Sequence, residues 1–228
     1  MRGRHRLRGG VVVVAAVILW AGVGVLGASE AAYRVRGGPA PPPVSANGYV
    51  QQVTERGDGG WDVRVAVTYA PVGARGRYGE MEKVPSELVP EGFELPEEMA
   101  RSLVPEQSVW QAATAVLSWS MVNLQLDSEG AGPQDAVSVL ARRSGRCSGL
   151  ANASAALLIA AGFEARTVSG LLADGGAAIP HRWVEVRLPG AGWVPSDPTL
   201  GLWTVTPRHI VAPEAKIGRA SCRERVYC

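Results

Sequence analysis

Residues 147–161 have the sequence CSGLANASAALLIAA and contain no charged side chain. The larger apolar residues recur on one face at helical spacing, and most other positions are alanine, so the pattern predicts a helix packed on several sides. The segment is too short and carries too many polar residues to span a bilayer. We therefore expect a core helix with Cys147 in its first turn.

The position of Cys147 at the start of this helix favours a reactive thiol. Backbone N–H groups without helical partners and the positive end of the helix dipole both stabilise a thiolate, which lowers the pKa of the thiol. A lone cysteine is more commonly a small core residue. Its position alone therefore leaves both roles open.

The other two cysteines, Cys222 and Cys228, lie in residues 217–228, which resemble the translation of a sequencing-adapter oligonucleotide. On that interpretation the tail is not native, sequence beyond about Lys216 is missing, and Cys147 is the only native cysteine. A short basic tail with two cysteines is the alternative. A single cysteine cannot form an intramolecular disulfide, which favours the reactive-thiol role.

Residues 181–188, with the sequence HRWVEVRL, show the alternation of a strand. The apolar residues at 184, 186 and 188 share one face, which places His181 on the opposite face. The apolar face is then used for packing. We therefore expect His181 at the start of the strand, with its imidazole facing a cleft.

Residues 192–199, with the sequence GWVPSDPT, predict a short strand that ends at Asp197. Pro198 favours an extended backbone at Asp197. Taken singly, His181 and Asp197 are more commonly a strand-edge polar residue and a turn residue. Together with Cys147, each at the end of a predicted element, they form a set suited to nucleophilic acyl chemistry.

Two helices and a strand are predicted around these residues. Ser108 can cap a helix that runs to about Leu126, and a second helix is predicted from Asp135 to Arg143. Residues 163–172 follow the cysteine helix as a strand. These elements surround the cysteine helix in the sequence.

Four blocks of this region resemble the core of the transglutaminase-like superfamily, of bacterial type, within the papain-like cysteine-peptidase fold. They are residues 145–151 (GRCSGLA), 165–170 (ARTVSG), 181–186 (HRWVEV) and 192–199 (GWVPSDPT). The similarity covers about residues 134 to 200 and extends back to about residue 84. The resemblance implies an α+β fold in which the cysteine helix packs on an antiparallel sheet, here preceded by a signal anchor and a small β segment.

The resemblance also implies catalytic roles for three residues. Cys147 is the nucleophile, His181 the general base and acid, and Asp197 the carboxylate that orients the imidazole. No cofactor or metal is expected, since Cys147 and His181 fall short of a closed zinc ligand set. His209 is expected to be solvated or at an edge, because the triad is already complete.

The reaction also needs donors for an oxyanion. The backbone N–H of Cys147 is one, and the indoles of Trp110 and Trp119 are candidates for the second, although packing is the commoner role of both. Trp183 and Trp193 are expected to wall the cleft or to fill the sheet.

The rest of the chain divides into predicted segments. Residues 1–28 combine four arginines with an uninterrupted apolar run, which is typical of a signal peptide or membrane anchor, and a buried core helix is the less favoured alternative. Residues 29–47 are rich in proline and glycine and predict a linker. Residues 48–80 predict a β-hairpin segment. Residues 81–216 then form a C-terminally truncated transglutaminase-like domain.

The charge distribution bears on partners and location. The formal net charge is +2, but the basic excess lies in the two terminal segments. The body between them is acidic and has no electrostatic footprint for a phosphate backbone, so we expect no nucleic acid partner. Arginines before the apolar run place everything after residue 30 outside the cytoplasm, as an inner-membrane-anchored, periplasmic or secreted protein.

The sequence therefore predicts an exported or membrane-anchored transglutaminase-like cysteine enzyme. Its substrate is expected to be an amide bond in a peptide or protein, cleaved by water or transferred to an amine through a thioester. The alternative is a non-catalytic extracytoplasmic interaction module that keeps the same fold. The membrane is expected as a partner of residues 1–28.

Overall fold

The computed structural model describes residues 13–17, 28–36, 38–68, 73–84, 89, 93–174 and 177–213. Its helices are α1 (Glu97–Ser102), α2 (Val109–Asn123), α3 (Ala136–Arg142) and α4 (Cys147–Ala160). Its strands are β1 (Val13–Val17), β2 (Ala28–Arg36), β3 (Val44–Ala46), β4 (Tyr49–Glu55), β5 (Trp61–Thr68), β6 (Gln125–Leu126), β7 (Ser144–Gly145), β8 (Glu164–Asp174), β9 (Ala177–Leu188), β10 (Gly192–Ser196) and β11 (His209–Val211). Single turns of 3-10 helix lie at Tyr78–Glu80 and Pro198–Leu200.

Helix α4 is the core helix that its composition predicts. Every residue from Gly149 to Ile159 is buried. The helix packs on strands β8 and β9 and also contacts helices α2 and α3. Its many alanines suit this position, because small side chains allow neighbours to approach on several sides.

Helix α2 is capped by Ser108, as the sequence predicts. The Ser108 hydroxyl accepts from the backbone N–H of Gln111, whose side chain accepts in return from the Ser108 backbone N–H. The Asp135 carboxylate caps α3. Helix α2 ends at Asn123 rather than near Leu126, because β6 follows it and pairs in parallel with β7.

Strands β8 to β11 form an antiparallel core sheet in the order β10-β9-β8-β11. The apolar residues Val184, Val186 and Leu188 are buried against the helices, as the alternation predicts. Trp183 is buried in a separate cluster on the opposite face. The confirmed fold class is therefore α+β, with the cysteine helix packed on an antiparallel sheet.

The β8–β9 hairpin is longer than predicted. Strand β9 begins at Ala177, which pairs with Asp174 at the end of β8. The expectation that His181 starts the strand is therefore wrong, since His181 lies inside the hairpin, opposite Gly170. A Cβ at Gly170 would overlap the backbone oxygen of Ile210 and would lie only 2.5 Å from Cη2 of Trp183, so this position needs glycine.

The N-terminal strands form a second antiparallel sheet in the order β1-β2-β5-β4-β3. Strands β4 and β5 make the predicted hairpin, with Tyr49 paired to Val67 and Glu55 to Trp61. In the predicted linker, residues 29–47, most positions are instead part of strands β2 and β3. The prolines suggested a spacer, but Tyr33 and Val35 alternate with exposed arginines, which is the period of a strand.

The N-terminal sheet packs on the face of the core sheet opposite the helices. One buried cluster joins side chains of both sheets and of the segment before β11: Tyr33, Val35, Tyr49, Val63, Val65, Val67, Leu171, Ala173, Trp183, Val205 and Ile210. The described structure thus has three layers, with the helices on one side, the core sheet in the middle and the N-terminal sheet on the other side.

Two predicted segments fall largely outside the described residues. Of residues 1–28, the structure describes strand β1 and the first residue of β2. The tail at residues 217–228 lies wholly outside them. None of the four described helices combines the length and the apolar character that a membrane crossing requires.

Candidate active site

Cys147 is the first residue of α4 and is partly exposed. The helix N-terminus is held from outside by Gln134, whose Oε1 accepts from the backbone N–H of Arg146 at 2.8 Å. The backbone oxygen of Gln134 accepts from the side chain of Asn152 at 2.9 Å. Gln134 thus holds the turn that leads into Cys147. No sequence motif marks this role, because each of the two hydrogen bonds involves a backbone group, which every residue carries.

His181 lies on strand β9 of the core sheet, on the side of the Cys147 thiol. Its imidazole interacts with the thiol of Cys147, and this interaction contributes to the pKa shifts of both groups. Its Nε2 lies 2.6 Å from Oδ2 of Asp197, so Nδ1 is the ring nitrogen left for the thiol. His181 is only 9% exposed, which is more buried than a residue open to a cleft.

Asp197 follows strand β10 and is 0% exposed. Its Oδ2 is hydrogen-bonded to Nε2 of both His181, at 2.6 Å, and His209, at 3.0 Å. Its Oδ1 accepts from the backbone N–H of Thr199 at 3.0 Å. A backbone bridge to Leu202 fixes its main chain. The carboxylate is therefore held by three donors in the ionised form.

The environment shifts the three pKa values in directions that suit a thiolate and an imidazolium. Burial raises the pKa of the Cys147 thiol, but the hydrogen bond and charge of His181 outweigh it, and the net pKa is lowered. Burial lowers the pKa of His181, whereas Asp197 and Cys147 raise it to about 9. Burial raises the pKa of Asp197, but bonds from the two histidines lower it to about 2. Opposite shifts of Cys147 and His181 favour an ion pair at neutral pH.

The expectation that His209 is solvated is wrong, although its strand, β11, does lie at the edge of the core sheet. It is 0% exposed on strand β11, with its ring edge-on to Trp183 at a centroid distance of 5.2 Å. Strand β11 pairs with β8, where His209 lies opposite Leu172. The apolar residues Ile210 and Val211 indicate a short strand, but the sequence alone does not specify its partner.

The tryptophans divide between packing and hydrogen bonding. The indole N–H of Trp119 donates to Oε1 of Glu98 at 2.9 Å, which occupies it and removes Trp119 as an oxyanion donor. Trp110 packs against the helical core while partly exposed. Trp183 fills the space between the sheets. Trp193 lies under the guanidinium of Arg166.

Among the described residues, one group has the donor atoms for a metal. Ligand atoms of His181, Asp197 and His209 lie within 4.8 Å of one another. The Nε2 atoms of both histidines are bonded to the same carboxylate oxygen. The group also includes His181, which forms the bond to Cys147, so a metal here would displace the contacts that link the three residues.

Residues 97–198 match the profile of the transglutaminase-like superfamily. The matched region runs from α1 to the residue after Asp197 and contains Cys147 and His181. Over this region the chain is similar to the transglutaminase-like superfamily, as the motifs around the cysteine, histidine and aspartate predict. His209 lies beyond the matched region.

Two solved structures are similar to the chain at low identity. A candidate cysteine protease from Cytophaga hutchinsonii is 16% identical with a TM-score of 0.43, and the match covers 88% of this chain and 78% of that one. A candidate protease from Parabacteroides distasonis is 17% identical with a TM-score of 0.33, and the match covers 72% of this chain and 39% of that one. No curated protein sequence gives a significant match.

Proposed function

We propose that the protein is a cysteine enzyme that cleaves or transfers the acyl group of amide bonds in peptides or proteins. Cys147 is the nucleophile, His181 the general base and acid, and Asp197 the orienting carboxylate. The observation that carries the proposal is a single imidazole that is hydrogen-bonded to a buried carboxylate and interacts with a partly exposed thiol. The match of residues 97–198 to the transglutaminase-like superfamily profile supports the same chemistry.

The first half-reaction forms a thioester. The Cys147 thiolate attacks the amide carbonyl carbon, a C–S bond forms, and the carbonyl electron pair moves to oxygen. The backbone N–H of Cys147, at the helix N-terminus, donates to this oxyanion. When the oxyanion collapses the C–N bond breaks, and the departing amine takes the proton of His181.

The second half-reaction releases the acyl group. Neutral His181 takes a proton from water or from a second amine as that nucleophile attacks the thioester. The C–S bond breaks, which restores the thiolate and the imidazolium. Water gives hydrolysis, and an amine gives acyl transfer. Throughout, Asp197 holds the proton of His181 on Nε2, so that Nδ1 faces the sulfur.

We also propose that the protein is exported or membrane-anchored through residues 1–28. The support is the run of arginines followed by an uninterrupted apolar segment. Digestion of intact spheroplasts with an added protease tests this location. We expect the body of the chain to be degraded without lysis, and protection until lysis would contradict it.

Alkylation of Cys147 tests the proposed chemistry without knowledge of the substrate. At pH 6 a thiol with an ordinary pKa is almost wholly protonated, whereas a thiolate paired with His181 reacts with iodoacetamide. We therefore expect Cys147 in the full chain to react at least about tenfold faster than a free model thiol. Mass spectrometry of the peptides separates Cys147 from Cys222 and Cys228.

Two variants serve as controls for this measurement. His181→Ala removes the partner of the thiolate and should slow the reaction at pH 6 to the rate of the model thiol. Asp127→Asn changes an exposed aspartate and should leave the rate unchanged. If wild-type Cys147 reacts no faster than the model thiol, the catalytic proposal fails and a non-catalytic binding module is the better interpretation.

A further inference from the structure

The carboxylate of Asp197 is shared by two buried imidazoles. The same oxygen, Oδ2, lies 2.6 Å from Nε2 of His181 and 3.0 Å from Nε2 of His209. The reaction described above uses only His181. His209 is 0% exposed. The centroid of its ring lies 5.9 Å from that of His181, so the two imidazoles occupy separate positions beside Asp197.

The bond from His209 has a defined direction. Nδ1 of His209 lies 3.2 Å from the backbone nitrogen and 3.1 Å from the backbone oxygen of Thr206, contacts that fix the plane of the ring. An ionised carboxylate only accepts hydrogen bonds. His209 Nε2 therefore carries a proton and donates it to Asp197, whichever atom of Thr206 its Nδ1 contacts.

The strand that carries His209 is held by the N-terminal sheet. The hydroxyl of Tyr49 donates to the backbone oxygen of His209 at 2.8 Å. The side chain of Gln51 forms two hydrogen bonds with the backbone of Val211. Its Oε1 accepts from the N–H of Val211, and its Nε2 donates to the carbonyl oxygen of Val211, both at 2.8 Å. Tyr49 and Gln51 are 2% and 1% exposed. Buried polar side chains that satisfy a short strand in this way fix its position.

We propose that His209 is a positioning residue, which holds the Asp197 carboxylate against His181 and is itself placed by Tyr49 and Gln51 of the N-terminal sheet. This inference rests on the proposed function, in which Asp197 orients His181. It makes the N-terminal sheet part of the machinery that aligns the triad, and it extends the aligned set beyond the region matched by the superfamily profile.

The first test compares two substitutions of His209 in the full chain. His209→Phe keeps a flat side chain but has no donor. His209→Gln can place an amide N–H near the position of Nε2 and so restore the bond. Ile210→Val removes one methyl group from the same buried strand and is the control for a loss of packing alone.

NMR titration of the His181 ring is the main measurement, and it is simple to assign because the chain has three histidines. In His209→Phe the carboxylate is less firmly held, so we expect the proton affinity of His181 to fall roughly tenfold, with a parallel fall in the rate of Cys147 alkylation at pH 6. His209→Gln should recover most of both values. Ile210→Val should match the wild type in both.

A second pair of variants tests the role of the N-terminal sheet. Gln51→Leu removes both bonds to Val211, and we expect the same changes at His181 as in His209→Phe, but smaller. Gln52→Leu is the matched control, since Gln52 is the next residue on the same strand and is exposed. It should leave His181 unchanged.

The outcomes separate this inference from the proposed function. If wild-type Cys147 is not activated, the proposed function fails whatever the variants do. If it is activated and the His181 titration in His209→Phe is that of the wild type, His209 is not a positioning residue. Equal losses in His209→Phe and Ile210→Val would also overturn the inference, because they would indicate packing alone. Loss of folding in His209→Phe leaves the comparison of His209→Gln and Gln51→Leu with their controls to decide.

Discussion

Asp197 carries a negative charge at a position that is 0% exposed. Burial of a charge is costly unless opposite charges or donors surround it. Here two imidazoles and the backbone N–H of Thr199 supply that compensation, and they hold the pKa of the carboxyl at about 2. The carboxylate that is bonded to His181 is therefore also a source of pH-dependent stability.

The depressed pKa of Asp197 predicts the direction of acid unfolding. A carboxyl whose folded pKa lies below its unfolded value stabilises the protein above the unfolded value, near 3.8, and loses this contribution as the pH falls to about 2. The contribution is roughly 2 kcal/mol. Urea unfolding between pH 7 and pH 2 should show this loss in the wild type, and Asp197→Asn should lack it.

The exposed residue Asp127 provides the comparison for Asp197. Asp127→Asn should keep the wild-type loss of unfolding free energy between pH 4 and pH 2. If Asp197→Asn loses stability over this range by as much as the wild type does, then Asp197 is not the ionised group that the geometry indicates.

At the scale of an element, the N-terminus of α4 is shaped by contacts with the segment before it. Gly149 lies inside the helix, where glycine is less favourable than alanine by about 1 kcal/mol. A Cβ there would lie 2.8 Å from Cγ2 of Val139 and would overlap Oε1 of Gln134. That same oxygen accepts from the backbone N–H of Arg146. Glycine at 149 therefore allows Gln134 to hold the turn that presents Cys147.

This packing reverses the usual effect of a glycine-to-alanine change in a helix. We expect Gly149→Ala to lower the free energy of unfolding by about 1–3 kcal/mol, because the added methyl group displaces Gln134 and Val139. It should also slow the alkylation of Cys147, since the helix N-terminus shifts. Chemical denaturation and the alkylation rate measure the two effects.

Gly57→Ala is the matched control for the substitution at Gly149. A Cβ at Gly57 would have nothing within 4 Å. Its stability and alkylation rate should be close to those of the wild type. A stabilised Gly149→Ala variant would mean that the contact with Gln134 does not constrain the helix.

At the scale of the whole molecule, the core sheet is covered on both faces. Helices lie on one face, and the N-terminal sheet lies on the other through the cluster that includes Val65, Trp183 and Ile210. Trp183 and His181 both belong to strand β9 and their rings stack, so the layer that buries the indole lies directly beside His181. Removal of the N-terminal sheet would expose this apolar face, and we therefore expect the layers to unfold together.

Val65→Ala tests whether the layers unfold together. Val65 is 0% exposed, and loss of its two methyl groups should cost about 2 kcal/mol. The described helices all lie between residues 97 and 160, outside the N-terminal sheet. The helical signal in far-UV circular dichroism should nevertheless be lost at a lower denaturant concentration, because the transition is shared.

Val50→Ala makes the same chemical change at a position that is 40% exposed on the neighbouring strand. It should shift the transition little. If Val65→Ala leaves the helical transition unchanged while the N-terminal sheet unfolds earlier, the two parts are independent and the sheet cannot position the active site.

The elements around the site could be predicted because their signals are local. Helix α4, the alternation at residues 184 to 188 and the end of β10 just before Asp197 each follow from neighbours within one element. The pairing of Cys147, His181 and Asp197 was inferred from a family resemblance that rests on these same blocks. The alternation in residues 28–36 also predicts a strand locally, but the proline-rich sequence that follows it led to the prediction of a linker.

The contacts that align the site have no such signal. The ring of His209 bonds to Asp197, and its backbone oxygen accepts from Tyr49, which is separated from it by 160 positions in the chain. Trp119 has an indole suited to an oxyanion, yet Glu98 takes its N–H once α1 and α2 pack. Side-chain periodicity is a property of a few consecutive residues and can be read from the chain. The partner of a buried hydrogen-bonding group can be a side chain that is distant in the chain. That partner is determined only when the two sheets and the helical layer pack together.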